Sequence, residues 1–341
     1  MSFRRPRPTS NPYLSLLWAG LCDADGVDPH FFSWSAALWG RWDVLHVQWP
    51  ETLLSGRTRW RRRVNELRYA LLLARVRLTR RGLVRTAHNV TAHTPTSRIG
   101  GLLARLTERW ADQAIRLNDA TPIRPGVGVR TVPHGHYRDW YQLPEQITPH
   151  PTRLLFFGLI RPYKGLEELL AAVLGAPEAT MELRIVGAPA DPELAARVHA
   201  AAATDARISC DLRHLADTEL SAEIGAAAVV VLPYRELHNS GALLLALSLD
   251  RPVLVPDGKV TQALAEEVGA QWVQRYPSST GSVQVESLEA ALVAAADLTG
   301  RPDLAARDWS GTAAAHRAVY RLAAEAGSRK QDQSDRQHQV I

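Results

Sequence analysis

Cysteine is scarce in this chain. Cys22 and Cys210 are the only two in 341 residues, far apart and outside any paired motif, which argues against a disulfide framework or a cysteine-ligated zinc site. No apolar core of signal-peptide length follows the opening MSFRRPRPTSNP, so no secretory leader is expected. No uncharged apolar run approaches the roughly 20 residues that span a bilayer. Internal repeats at solenoid periods are absent, and so is the G-x-G-x-x-G turn that a nicotinamide-binding strand would carry. What is present is ordinary globular composition, 46% hydrophobic and 22% charged, in a length that favours two domains.

Charge is unevenly placed. The net value is +5, but Arg57 to Arg81 holds ten arginines against the single acid Glu66, a local +9, which leaves the rest at −4 by subtraction. A nucleic-acid-binding protein spreads basic charge over a wider face. The concentrated segment therefore needs its own explanation.

From residue 40 to about 135, β-rich runs (DVLHVQW at 43–49, GLVRTAHN at 82–89, AIRLND at 114–119, VRTVPHG at 129–135) alternate with helical stretches. That alternation predicts a parallel, doubly wound α/β sheet. A proline-rich stretch at 141–152 reads as a linker. The rhythm then restarts with strands near 153–160, 181–187, 207–212, 227–234 and 251–257, and helices between them. The expected division is a first domain over 1–148 and a second over 152–327. The final helix, capped by Ser310, is expected to pack back on the first domain, and 328–341 to form a flexible tail.

The most informative segment is FFGLIRPYKGLEELL at 156–170. An apolar strand, a glycine turn, two cations three residues apart and an amphipathic helix gather positive charge and backbone N–H groups beyond a strand's carboxyl end. A diphosphate would fit there. The plainer alternative makes Arg161 and Lys164 solvated loop charges.

Gly158, Arg161, Lys164 and Gly165 reproduce a G-x-x-R-x-x-K-G pattern, on which the sequence resembles the GT-B glycosyltransferases, enzymes with two Rossmann-like parallel-sheet domains facing across a cleft. The resemblance implies a nucleotide-sugar donor held by the carboxyl-terminal domain, no metal and no cofactor. Its arginine and lysine hold the diphosphate and offset the charge of the departing nucleoside diphosphate. A second donor segment, VVVLPYRELHNSGALLLALSLDRPVLVPD at 229–257, puts Ser240 and Gly241 where a helix should start beneath the phosphates. The retaining branch carries two glutamates eight positions apart. Leu237 and Leu245 occupy those places here, with Glu236 one residue off, which leans toward inversion. The resemblance further implies that the base lies near Gly187, Arg213, His214 and Tyr234.

NSGALLLALS, FGLIRPYKG, HVQWPE, HNVTAH and PHGHY together look like a bacterial exopolysaccharide branch that includes enzymes resembling GDP-mannose:glycolipid β-mannosyltransferases. Mannose, GDP-mannose and a lipid-linked or polysaccharide acceptor are what that branch implies. On the amino-terminal side, His88, His93, His134 and His136 lie at strand ends or in loops, and imidazole suits proton transfer near neutrality. His88 matches the family's histidine near the donor sugar. Glu51 and Asp139 are the carboxylate candidates for the base. Trp49 is placed to stack on a sugar, or else to serve the core.

Between Arg57 and Arg81, Trp60, Val64, Leu67, Leu71 and Leu78 trace one helical face among arginines. An amphipathic basic helix of this kind suits an anionic membrane surface, here the cytoplasmic face of the cell membrane, as a peripheral attachment. In the other reading that stripe packs on its own domain and the arginines are a solvated face. The functional alternative from another class is a non-catalytic nucleotide-sugar or nucleic-acid binding protein, although no nucleic acid is expected as a partner.

Overall fold

The computed structural model describes residues 1–5, 12–88, 97–177, 180–235, 237, 239–278 and 281–338. They fall into two compact units, Met1–Gly135 with Arg307–Ile341, and His136–Ala306.

The first unit contains a four-stranded parallel sheet, β1 (Val44–Val47), β2 (Gly82–Ala87), β3 (Gln113–Arg116) and β4 (Gly128–Thr131), in that spatial order. Right-handed crossovers that always step in one direction deposit their helices on one face of a sheet. Here those helices are α3 (Pro50–Leu54) and α4 (Arg59–Leu78), between β1 and β2, and α5 (Arg98–Trp110), between β2 and β3. The other face is closed from outside the strand series, by α12 (Trp309–His338), which packs on β2 and against α1 (Pro12–Cys22). Neighbouring residues of β2 show the two layers: Leu83 joins Tyr69, Leu72, Leu73 and Val76 of α4, while Val84 joins Val319 and Ala323 of α12. The close approach of α12 requires Gly82, since a Cβ there would lie 2.8 Å from the Ala323 backbone. A further short helix, α2 (Trp34–Trp39), precedes β1 and packs on α4.

The second unit is a six-stranded parallel sheet in the order β10-β9-β8-β5-β6-β7. Its strands are β5 (Arg153–Phe157), β6 (Glu182–Val186), β7 (Ile208–Asp211), β8 (Val229–Val231), β9 (Val253–Pro256) and β10 (Val273–Tyr276). They alternate with α6 (Leu166–Gly175), α7 (Pro192–Thr204), α8 (Asp217–Ala226), α9 (Gly241–Ser248) and α10 (Lys259–Val268), and α11 (Val285–Ala296) follows β10. The order runs outward from β5 in one direction and from β8 in the other, so their junction is the topological switch point, where doubly wound sheets bind ligands.

The boundary between units falls at Gly135, before the proline-rich stretch expected to be the linker. Residues 136–151 belong to the second unit because they are anchored there. The Tyr137 amide donates to Ser248 Oγ at 2.9 Å, the Arg138 guanidinium pairs with Asp250 at 3.1 Å, and the Trp140 indole donates to Asp217 at 2.8 Å. At the other end the helix runs on to His338, through part of the expected flexible tail.

Candidate active site

The carboxyl ends of β5 and β8 carry the donor candidates. After β5 the chain passes Gly158, in the left-handed region at φ 98°, and makes one tight turn at Pro162–Lys164 before α6. Gly165 at φ 69° links turn to helix, and a Cβ there would overlap the Pro233 carbonyl oxygen. At Gly187, φ 133°, a Cβ would overlap the Gly158 carbonyl oxygen, so this glycine lets the β6 loop close against the β5 loop.

Lys164 is buried, with its ammonium 4.7 Å from the ring centroid of Tyr234. Among the described residues no carboxylate pairs with Lys164 or with Arg161. The nearest acids of α6 are engaged elsewhere, Glu168 by Arg235 and Glu167 by Arg197. Burial, with a smaller contribution from Arg161, pulls the lysine down to about 8. The Tyr234 hydroxyl is buried with no hydrogen-bond partner among the described residues, and burial pushes its pKa up. A buried cation without a counterion is costly unless a ligand supplies the negative charge. Ser240 caps α9, its oxygen accepting the Leu243 amide at 3.2 Å, which leaves the hydroxyl proton to donate. Gly241 follows, where a Cβ would stand 3.1 Å from the Tyr137 hydroxyl.

The candidates near the base divide differently. Arg213 is exposed and already engaged, bidentate to Glu219 at 2.7 and 3.0 Å and to Asp211 at 3.1 Å. Its pairing pulls Glu219 down to about 2, and Glu219 in turn accepts the Ala216 amide at the start of α8. His214 is exposed. Leu245 is buried in α9 and Leu237 lies in the loop before it, while Glu236 is outside the described residues.

In the first unit His88 is buried just beyond the carboxyl end of β2. Its ring stacks on Trp49 at 3.9 Å and 18°, so one face of the indole expected to meet a sugar is covered by imidazole. Burial, then Arg85, His134 and His316, hold His88 well below the ordinary imidazole range. Glu51 stands in the first turn of α3. His134 is buried against Tyr13 at 4.6 Å, its Nδ1 donates to the Gly135 carbonyl at 2.7 Å, and burial lowers it to about 4. His136, expected on the acceptor side, and Asp139, a carboxylate candidate for the base expected in the first domain, both belong to the second unit. His136 accepts the Arg138 amide at 3.3 Å, and Asp139 is exposed on the anchored turn. His93 lies outside the described residues.

Sequence reasoning missed Gln48, completely buried beside His88, whose Nε2 contacts the Gln48 carboxamide oxygen. A buried polar residue closing a β-strand was the available signal. A cavity of about 1010 Å³ in the same unit opens at the amino ends of β1 and β2, away from His88.

No family model matches the chain. Solved structures with the same fold include AviGT4, a glycosyltransferase involved in avilamycin A biosynthesis (TM-score 0.54, 12% identity, 95% of this chain and 93% of that one). WaaG, a glycosyltransferase involved in lipopolysaccharide biosynthesis, gives 0.53 at 15%, covering 96% and 97%, and HepE from Anabaena with UDP gives 0.52 at 15%, covering 79% and 76%. These likenesses show the fold, two parallel-sheet units of the kind found in GT-B glycosyltransferases. In sequence the chain is 44% identical over 325 residues to the GDP-mannose:glycolipid 4-β-D-mannosyltransferase of Xanthomonas campestris pv. campestris, covering 94% of this chain and 90% of the relative. The chain belongs to that glycosyltransferase family.

Proposed function

We propose that this glycosyltransferase moves mannose from GDP-mannose to a hydroxyl of a glycolipid in bacterial surface glycan synthesis, forming a β-linkage with inversion. The observation that carries the reading is Lys164, a buried ammonium beside Arg161 at the switch point, with no carboxylate partner among the described residues. A diphosphate supplies the missing charge, and Ser240 with the amino end of α9 adds donors to it. The acceptor oxygen attacks the anomeric carbon on the face opposite the diphosphate. The bond to the phosphate oxygen breaks, its electron pair leaves with GDP, and the hydroxyl proton passes to His88. Two fixed cations meet the charge that develops on the leaving group, so no divalent metal is required. Glu51 is the carboxylate alternative for the base on the same unit, and Leu245, where a retaining relative has a glutamate, agrees with inversion.

The acceptor reading draws on α4. Its core face is Tyr69, Leu72, Leu73 and Val76, whereas Trp60, Leu67, Leu71 and Leu78 are exposed. The stripe singled out in the sequence is therefore a second apolar face, turned to solvent and flanked by Arg61, Arg63, Arg68 and Arg77. Such a row suits the interface of an anionic membrane, where each basic residue contributes about 1 kcal/mol. Among the described residues no helix is long and apolar enough to cross a membrane. The attachment in this reading is peripheral, through the exposed face of α4 at the cytoplasmic leaflet. Calorimetry with GDP, UDP, GDP-mannose, UDP-glucose and UDP-N-acetylglucosamine, without added metal, tests the donor. GDP and GDP-mannose should bind, and a folded protein that binds none of the five overturns the reading.

A further inference from the structure

The cavity of about 1010 Å³ at the amino ends of β1 and β2 lies at the opposite end of the sheet from His88, and the transfer step does not use it. Its charge comes from four arginines on three pieces of chain. Arg41 precedes β1 and Arg81 precedes β2, and the parallel register of Val44 with Gly82 brings both to one end of the sheet. Arg317 and Arg321 come from α12, one helical turn apart and so on one face. Val319 and Ala323 of the same helix are packed in the core, which fixes that face in place.

These arginines are uncommitted. None of the four makes an ion pair among the described residues. Of the two acids in the wall, Asp28 is held by His30 at 3.2 Å and Asp43 pairs with no arginine. Arg81 Nε is buried with no hydrogen-bond partner among the described residues. The Arg81 guanidinium lies over the Trp42 ring, 5.0 Å from the centroid, and the Trp42 indole is itself fixed by donation to the Ala37 carbonyl at 3.2 Å. A guanidinium pinned through its face, with a buried N–H left unmet, is costly to the fold and already oriented for an anion.

The apolar surroundings narrow the choice of anion. Phe31 and Phe32 contribute to the wall. Trp39 stands two residues before Arg41 and is 85% exposed, and Leu78 stands three before Arg81 and is 82% exposed. Arg75 of α4 ties the end of α2 to its own helix by donating to the Ala37 and Gly40 carbonyls. A ligand with a hydrocarbon part would cover apolar surface that the protein leaves in water.

We infer that this cavity binds a phosphate group, and that its source is the headgroup of a membrane lipid. The lipid source extends the reading of α4 as a membrane face, whereas the phosphate site stands without it. Arginine forks suit this ligand, since each presents two N–H groups to a pair of phosphate oxygens.

Calorimetric titration of the full-length protein with dihexanoyl phosphatidic acid, below its micelle concentration, and with inorganic phosphate tests both parts. Both should bind the wild type, the lipid at least tenfold more tightly. Arg317→Gln and Arg321→Gln should each weaken phosphatidic acid binding about tenfold, as loss of one charge-assisted hydrogen bond does. Arg130→Gln, an exposed arginine on β4, should leave it unchanged. Phosphate held at Lys164 is indifferent to these substitutions, so the difference belongs to the cavity. Wild type that binds neither ligand, or α12 variants that are folded and bind as wild type does, overturns the inference. Equal affinity for lipid and phosphate, with both weakened in the variants, supports the phosphate site and overturns the lipid source.

Discussion

Two buried polar clusters, one in each unit, are held in opposite ways. The second unit buries the Lys164 cation with no carboxylate partner among the described residues, the feature on which the proposed anion site rests. The first unit holds a buried cluster of neutral groups, His46, Gln48, Thr86 and Tyr320, that hydrogen-bond to one another. An unmet charge gives affinity for a ligand at some expense of stability, whereas a satisfied neutral network gives orientation. That difference fits the division of labour in a transferase, with binding of a diphosphate on one side and placement of a proton acceptor on the other.

The largest effect that would break this contrast is acid unfolding. His46 and His88 lie well below the ordinary imidazole range and His134 and His316 at about 4, all through burial. Once unfolded, these rings titrate near 6.5, so between about 6.5 and 4 the unfolded state binds more protons than the folded one. Stability present above pH 6.5 is therefore lost as pH falls, by about 1.4 kcal/mol per pH unit for each ring. The paired Glu219 of the second unit, pulled down to about 2, withdraws its contribution only below about 4.5. Calorimetric scans from pH 7 to 4 should split into two transitions, with that of the first unit dropping earlier. Transitions that fall together would remove the distinction.

Lys164→Ala should lower transfer about 10²- to 10³-fold, as loss of one preorganised charge-stabilising donor does, without unfolding the protein. Full activity in a folded variant would return Lys164 to a merely structural place. A smaller effect follows from its depressed pKa. Free enzyme loses the ammonium as pH rises through about 8, so the donor Kd should climb toward tenfold per pH unit above that point. Between 8 and the unfolded value of 10.5 the unfolded chain binds the extra proton, so this same group makes the unliganded protein more stable as pH rises. Calorimetric titration and thermal melts of wild type and Lys164→Met separate the two trends, which should both vanish in the variant.

The donor half was legible because its chemistry is local. Gly158, Arg161, Lys164 and Gly165 lie within eight positions of sequence, and a strand, a turn and a helix suffice to place them. The first unit's network was not, because His46, Gln48, Thr86, His88 and Tyr320 meet only through strand pairing and the return of α12. Proline content suggested a linker at 141–152, yet the anchoring of Tyr137, Arg138 and Trp140 is side-chain chemistry that composition does not report. Arg213 illustrates the same limit, since an arginine at a favoured place carries no sign that Glu219 already holds it.

Within α4 the contrast repeats on a smaller scale. Periodicity found one apolar face, but the helix has two, and only the structure shows that Tyr69, Leu72, Leu73 and Val76 take the core while Trp60, Leu67 and Leu71 face water. Replacing Trp60 and Leu67 with serine removes apolar surface that the fold does not use, so the melting temperature should stay within a few degrees of wild type, as for substitutions away from packed sites. Binding to vesicles containing phosphatidylglycerol should fall about tenfold, since interfacial affinity scales with buried apolar area. Raised salt should weaken wild-type binding further by screening the flanking arginines. Wild-type protein that floats equally poorly with anionic and neutral vesicles would leave the exposed face without this role.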